Sequence, residues 1–213
     1  MSADPAVTLD ELETDALTEI VNIGVSRAAS NLRKMVGDQV LLSVPSIEVV
    51  SQRRAARLIN EREITQLIAV RQDFAGPFSG RALLIFPVEN SLELVRAVTG
   101  DELSPQEVQD IEHEALAETG NVILNSCLAT MANMLQRSLT MTIPEVLRGD
   151  GAALFETRDE TAADGLVLFL YIDFAVRKRD IRGYIAMLMD LPSLQALKAL
   201  LGEFIERVVG DDG

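Results

Sequence analysis

Two stretches of the sequence, DALTEIVNIG at residues 15–24 and EALAETGNVI at residues 114–123, decide how the whole chain is interpreted. Each begins the same pattern: an acidic residue, three intervening residues, Glu, two intervening residues, Asn, twenty-two intervening residues and Pro. At about 100° per residue, the acid, the Glu and the Asn fall on one face of an α-helix. We therefore expect two helices with exposed polar faces, and the two sets are Asp15, Glu19, Asn22 and Pro45, and Glu114, Glu118, Asn121 and Pro144.

Each stretch lies in a segment that begins with a helix signal. Thr8-Leu9-Asp10-Glu11 predicts a capping box with Thr8 as the N-cap, and Gly37 predicts the end of that helix. Ser104-Pro105-Gln106-Glu107 predicts a second box, with proline at the first helical position, and a helix that runs to about Leu135. Both polar sets are thus expected on long helices.

The segments around these helices are rich in β-branched and apolar residues and are bounded by turn residues, which predicts strands. Two shorter helices are also expected, one that Asn90 caps and that ends near Gly100, and one that runs from Pro192 and Ser193 to about Val209. The expected strands are Val40–Val50, Ile64–Phe74, Phe78–Pro87, Leu166–Val176 and Ile181–Asp190.

The second half of the chain repeats the first. Asp73-Phe74-Ala75 recurs as Asp173-Phe174-Ala175, a shift of 100 residues, and Ser91-Leu92 recurs as Ser193-Leu194, a shift of 102. A nearly constant shift along the whole chain is the mark of an internal duplication. The sequence therefore predicts a single α/β domain over residues 1–213, built of two pseudo-symmetric α-β-β-α repeats at about 8–100 and 104–209.

The composition excludes several classes of function. The chain of 213 residues has 33 Asp and Glu against 19 Lys and Arg, a formal net charge of −14, which argues against binding to nucleic acid or to an anionic membrane. One His and one Cys do not make an ordinary transition-metal site, and no phosphate-binding glycine loop is present. With neither a signal peptide nor a membrane-length apolar run, and with a lone Cys127, the sequence predicts a cytoplasmic protein.

A polar stripe on a helix has a plain alternative, which is a solvated face without function. The proline that follows each stripe can likewise serve only to begin or end an edge strand. Duplication at identical spacing weakens the plain alternative, although structural residues would also be duplicated. The residues alone leave both interpretations open.

The paired pattern resembles the signature of the CheC/CheX/FliY family of chemotaxis phosphatases, which is Asp or Ser, three residues, Glu, two residues, Asn, twenty-two residues, Pro. Residues 19–24, Glu-Ile-Val-Asn-Ile-Gly, also resemble the family's Glu-x-x-Asn-Ile-Gly opening. Two motifs over essentially the full chain are typical of the CheC-like members. The chain departs from the pattern at Glu114, where Asp or Ser is usual, and at Thr119-Gly120 before Asn121.

The resemblance implies a CheC-like fold and hydrolysis of the aspartyl phosphate on a CheY-type response regulator. It implies that Asn22 and Asn121 hold the attacking water, and that Glu19 and Glu118 pair with the receiver's lysine. In this interpretation Asp15 and Glu114 support the docking surface, and Pro45 and Pro144 shape the strand beside the helix. No metal or cofactor of its own is expected, because the phosphorylated receiver brings Mg²⁺.

The expected partner is a phosphorylated CheY-like receiver, with the deamidase CheD as a further partner. Two alternatives stay open at this point: a non-catalytic adaptor that binds CheD or receivers, and a phosphatase of receivers outside chemotaxis. A monomer with an internal twofold is expected, and a homodimer is the alternative.

Overall fold

The computed structural model describes residues 7–44, 46–100, 103–155, 166–176 and 179–210. They form six helices and eight strands in the following order: α1 Glu11–Val36, β1 Val40–Ser43, β2 Ile47–Ser51, α2 Gln52–Arg62, β3 Leu67–Ala75, β4 Gly80–Pro87, α3 Val88–Thr99, α4 Pro105–Met134, β5 Thr140–Met141, β6 Glu145–Gly149, α5 Gly151–Phe155, β7 Leu166–Val176, β8 Arg179–Met189 and α6 Leu191–Gly210.

The two long helices begin at capping boxes. In α4 the box is Ser104 with Glu107, as the sequence predicts. In α1 the prediction of Thr8 as N-cap is wrong: the Asp10 side chain accepts a hydrogen bond from the Glu13 N–H, and the Glu13 carboxylate accepts one from the Asp10 N–H, both at 2.8 Å. The cap-x-x-Glu pattern of Thr8 and Glu11 occurs again two residues later as Asp10 and Glu13, and Asp is a stronger N-cap than Thr. At the other end, Gly37 has φ +67° and closes the helix as expected.

All eight strands form one antiparallel sheet, in the order β1-β7-β8-β4-β3-β5, with β2 also on β7 and β6 also on β3. The long hairpins of the two halves meet in the centre, where Leu84 faces Ile185. The outer strands are exchanged between the halves. Strands β1 and β2 pair with β7 of the second half, and β5 and β6 pair with β3 of the first half.

Each half is longer than the expected α-β-β-α unit. The segment Val40–Val50 forms two strands, not one, and a helix lies between the short and long strand pairs, α2 in the first half and α5 in the second. Asn90 is not an N-cap, because α3 already begins at Val88. The Asn90 side chain lies within the first turn and donates a hydrogen bond to the carbonyl oxygen of Arg182 at 3.0 Å. The full order of each half is therefore α-β-β-α-β-β-α.

Alternate residues of the central strands pack on opposite faces of the sheet. Ile68 and Val70 of β3 join the larger core beneath α1, α3, α4 and α6, whereas Leu67 and Ala69 join a smaller core beneath α2 and α5. Both faces of the sheet are thus covered, which explains why its strands are nearly continuous apolar runs. In the part of the chain that the structure describes, no helix has the length and apolar character that a membrane span needs.

The two long helices pack against each other at a glycine. A Cβ added to Gly24 would lie 2.9 Å from the Cα atom of Cys127, so only glycine fits at this contact. Cys127 is fully buried, and loss of hydration raises the pKa of its thiol to about 12. Cys127 therefore serves as a packing residue.

We expect the two helical glycines Gly24 and Gly202 to respond oppositely to alanine. Gly24→Ala places a methyl group against the α4 backbone and should lower the free energy of unfolding by about 1–2 kcal/mol. Gly202→Ala meets no atom within 4 Å and should raise it by about 0.5–1 kcal/mol, because alanine favours the helix. Denaturant unfolding of the two variants measures both changes, and a stabilised Gly24→Ala would contradict the close contact.

Candidate functional site

The first polar set lies on the outer face of α1. Asp15 and Glu19 are exposed and Asn22 is half-buried, while Leu17 and Ile20 on the other face are fully buried. The Asn22 amide binds the backbone of Val44 at two points: Oδ1 accepts from the Val44 N–H at 3.0 Å, and Nδ2 donates to the Val44 carbonyl at 3.4 Å. Asn22 is thereby fixed against the segment that joins β1 to β2. Pro45, the next residue, lies outside the described residues.

The segment that Asn22 holds is a bulge in the sheet. Ser43 of β1 pairs with Asp173 and Ile47 of β2 with Leu170, so three residues on the outer strands face two on β7. The second half repeats this arrangement, since Met141 pairs with Phe74 and Glu145 with Arg71. An extra residue bends the strand and changes the direction of its groups. Pro144 lies within the second bulge and directly precedes β6.

An open groove of about 340 Å³ runs along the first set. It is lined by Glu19, Asn22, Ile23, Ser26, Arg27 and Ser30 of α1. The Arg27 guanidinium donates to Thr130 Oγ of α4 at 3.3 Å, which ties this cation to the neighbouring helix. The groove therefore combines a carboxylate, an amide, two hydroxyls and a guanidinium on one face of α1.

The second polar set lies on α4 and is arranged differently. Glu114 and Glu118 are exposed and Asn121 is half-buried, as in the first set. Asn121, however, does not reach the outer strand directly. Its Oδ1 accepts from Gln72 Nε2 at 3.1 Å and from Asn125 Nδ2 at 2.6 Å, and Gln72 Nε2 also lies 3.0 Å from the carbonyl oxygen of Thr142. Gln72 thus connects Asn121 to the second bulge.

The residues that precede the two motif prolines in the sequence differ in exposure. Val44 is only 2% exposed, whereas Ile143 is 86% exposed. In the second half the outer strand is held through Gln72 at Thr142, and the residue after it turns outward.

The two sets are not brought together. Asn22 lies at the bulge beside β1 and Asn121 at the bulge beside β5, which are opposite ends of the six-strand sheet path. Five strand spacings of about 4.8 Å put these two bulges roughly 24 Å apart. They are therefore two separate sites on the same helical side of the sheet.

Neither site has the make-up of a metal centre. Across the described ranges, no three His, Cys, Asp or Glu side chains come close enough together to hold an ion. His113 is exposed on α4, and Cys127 is buried in the core. What each site offers is a fixed amide beside an exposed carboxylate, an arrangement that can dock a partner and orient a small polar molecule.

Sequence reasoning missed the contribution of the sheet. Gln72 was not singled out, although it is the polar residue on a face of β3 whose other members are Ile68, Val70 and Phe74. A polar residue at an inward position of an apolar strand is the signal that could have identified it. The contact with Val44 could not be identified in this way, because a hydrogen bond to the backbone does not depend on the residue type.

Two family models match the chain. The model described as chemotaxis phosphatase CheX matches residues 68–167, and the model described as the CheC-like family matches residues 12–49. Residues 15–22 of the first polar set lie in the CheC-like match. Residues 114–121 of the second polar set lie in the CheX match.

Two curated proteins and one solved structure illustrate the similarity. The CheY-P phosphatase CheC of Bacillus subtilis is 23% identical over 203 residues, which cover 91% of this chain and 96% of that protein. The putative CheY-P phosphatase CheC1 of Halobacterium salinarum is 21% identical over 145 residues, or 67% of this chain and 72% of that protein. The crystal structure of Thermotoga maritima FliY covers 93% of this chain and 100% of its own, with a TM-score of 0.70 and 16% identity, and shows that the fold is shared.

We expect Asn22 to protect the Val44 amide from hydrogen exchange. Asn22→Ala removes the acceptor and should speed exchange of the Val44 N–H about 5- to 10-fold, the equivalent of one net hydrogen bond. Asn22→Asp keeps an acceptor oxygen and should speed it less. Exchange followed by NMR measures both, with Asn31→Ala as the control, since Asn31 is an exposed residue of the same helix. Equal Val44 protection in all three variants would contradict the contact.

Proposed function

We propose that this chain, which belongs to the CheC/CheX/FliY family, accelerates hydrolysis of the aspartyl phosphate on a CheY-type response regulator in chemotaxis. Two of the relatives that support this proposal carry the name of CheY-P phosphatase. In the proposal the chain acts in the cytoplasm, and the phosphorylated receiver is both its partner and its substrate.

The observation that carries the proposal is the fixed Asn in each motif. Asn22 is held by two hydrogen bonds to Val44, and Asn121 by Gln72 and Asn125. An asparagine that served only as a solvated helix residue would have no need of such anchoring. A fixed amide next to an exposed carboxylate, built twice on different supports, fits a site that must present the amide in one orientation.

Phosphoryl transfer from an aspartyl phosphate requires a water in line with the bond that breaks. An amide has two N–H donors and two acceptor lone pairs on its oxygen. The contacts with Val44 use one donor and one lone pair of Asn22, so one of each remains for a water or for the phosphoryl group. Prior fixation of the amide removes part of the entropy cost of placing that water, which is how positioning lowers a barrier.

The glutamates are proposed to set the register of docking. Glu19 and Glu118 are exposed, and neither forms an ion pair with any residue of the described ranges. Each is one helical turn from its Asn, so a lysine of the receiver that pairs with the Glu would bring the phosphoryl group towards the amide. Asp15 and Glu114 extend the same exposed face by one more turn and are proposed to support this surface.

The net charge of −14 would repel a bare phosphate, but the proposed substrate is not bare. The receiver brings Mg²⁺ and a lysine, which neutralise the phosphoryl oxygens, and Asn adds no negative charge. Arg27 also lies in the first groove and provides a cation within the same face of α1 as Asn22.

The test is the rate of phosphate release from Mg²⁺-bound phosphorylated receivers of the chemotaxis type. Two separate sites should contribute additively, so Asn22→Ala and Asn121→Ala should each lose only part of the acceleration, and the double variant should return to the spontaneous rate. The matched controls are Asn31→Ala on α1 and Asn133→Ala on α4, both exposed asparagines outside the motifs, which should keep full activity.

Two outcomes would contradict the proposal. Binding of the phosphorylated receiver without any acceleration would make the chain an adaptor. Acceleration that survives in the double variant would place the chemistry away from the two asparagines.

A further inference from the structure

We propose that Gln72 is a positioning residue of the second site, which holds the Asn121 amide with its oxygen towards the sheet and leaves its NH₂ group to face the partner. The inference rests on the proposed function for its effect on turnover, but its structural claim concerns the orientation of Asn121 alone. Gln72 itself lies on β3 beneath α4 and belongs to neither helical motif.

A glutamine at position 72 lowers the stability of the folded protein. It is 1% exposed on an otherwise apolar strand face, and its Oε1 atom is buried with no hydrogen-bond partner among the residues that the structure describes. A buried amide oxygen without a partner lowers stability compared with an apolar side chain of similar size. Packing alone therefore does not account for a glutamine here, and its Nε2 group is the part that makes contacts.

The contacts of Gln72 fix which end of the Asn121 amide faces inward. An NH₂ group can only donate, so the atoms around Gln72 Nε2 must be acceptors, and they are Asn121 Oδ1 at 3.1 Å, Thr142 O at 3.0 Å and Asn125 Oδ1 at 3.4 Å. Asn125 Nδ2 donates to the same Asn121 oxygen at 2.6 Å. Two donors thus converge on Asn121 Oδ1 and occupy both of its lone pairs.

The NH₂ group of Asn121 is what remains available. Its Nδ2 atom makes no hydrogen bond to any residue within the described ranges. The second site therefore offers a donor to a water oxygen or a phosphoryl oxygen. Asn121 Oδ1 cannot accept a hydrogen bond from the water while Gln72 and Asn125 occupy both of its lone pairs.

The first site has no residue that acts on Asn22 as Gln72 acts on Asn121. At the shift of 100 residues that relates Asp73 to Asp173, Gln72 corresponds to Ile172, which is buried and has no polar group to give. Asn22 instead binds Val44 directly and keeps one lone pair and one N–H free. The two sites thus present different hydrogen-bonding groups, and Gln72 is the residue that makes the difference.

The closing experiment substitutes Gln72 with isoleucine, the residue found at the corresponding position of the other half. In an Asn22→Ala background, where only the second site can act, Gln72→Ile should lower kcat about 10-fold with KM unchanged, since the docking face is intact but the amide is no longer held. In an Asn121→Ala background, where only the first site can act, the same change should leave kcat and KM unaltered. Gln72→Met, which keeps the length of the side chain without its amide, should behave like Gln72→Ile.

A second readout does not depend on turnover. The side-chain NH₂ resonances of Asn121, assigned by their loss in Asn121→Ala, should move towards those of a solvated asparagine when Gln72 is replaced by Ile or Met. The NH₂ resonances of Asn22 should stay in place.

The possible outcomes distinguish the effect of Gln72 on turnover from its effect on the orientation of the Asn121 amide. An equal loss of kcat in both backgrounds would make Gln72 a general structural residue, and no loss in either would remove its positioning role. Should the wild-type chain release no phosphate from any receiver, the proposed function fails, and the NMR readout still decides the orientation claim. Unchanged Asn121 resonances in both Gln72 variants would overturn that claim.

Discussion

The rest of the structure depends on the backbone hydrogen bonds between the short outer strands of each half and the long hairpin of the other half. Ile47 faces Leu170 in the first of these pairings, and Val146 faces Val70 in the second, at corresponding positions of the two halves. The exchange puts all eight strands in one sheet and places a three-against-two bulge next to each long helix. The motif asparagines are held at these bulges, so a helix alone would not fix either of them. The hydrogen bond from Gln72 to Asn121 is a contact between the halves, and the Val44 segment that holds Asn22 joins two strands that pair with the other half.

The two halves present two polar sets that are alike in residue type and different in hydrogen bonding. In the first, an amide bonded to the backbone lies beside Arg27, in a groove that also contains hydroxyl groups. In the second, the amide oxygen accepts hydrogen bonds from two side-chain donors, and the exposed Ile143 lies within the bulge. The contacts around Asn22 and Asn121 therefore differ although the motif residues match.

Much of the fold could be predicted from the sequence because its signals are local. The Ser104 capping box, the apolar strand from Leu166 to Val176 and the stop at Gly37 all depend on near neighbours along the chain. The N-cap of α1 is Asp10 and not Thr8, because both residues begin an acceptable box and Asp is the stronger N-cap. The break between β1 and β2 and the exchange of strands depend on pairing between residues 65 to 136 positions apart, which no local pattern encodes. For the same reason the motifs identified Asn22 and Asn121, whereas their supports, Val44 and Gln72, had to come from the structure.

The exchanged outer strands also have a consequence for how such a protein can arise. One half by itself would have a long hairpin whose edge has unpaired backbone N–H and C=O groups, and two short strands with no hairpin edge to pair with. It could complete its sheet only with a second copy. Its assembly would then be second order and would weaken on dilution. Joining two halves in one chain makes the same exchange a first-order process. The duplicated chain can therefore complete its sheet at any cellular concentration, and its two copies are free to accumulate different substitutions.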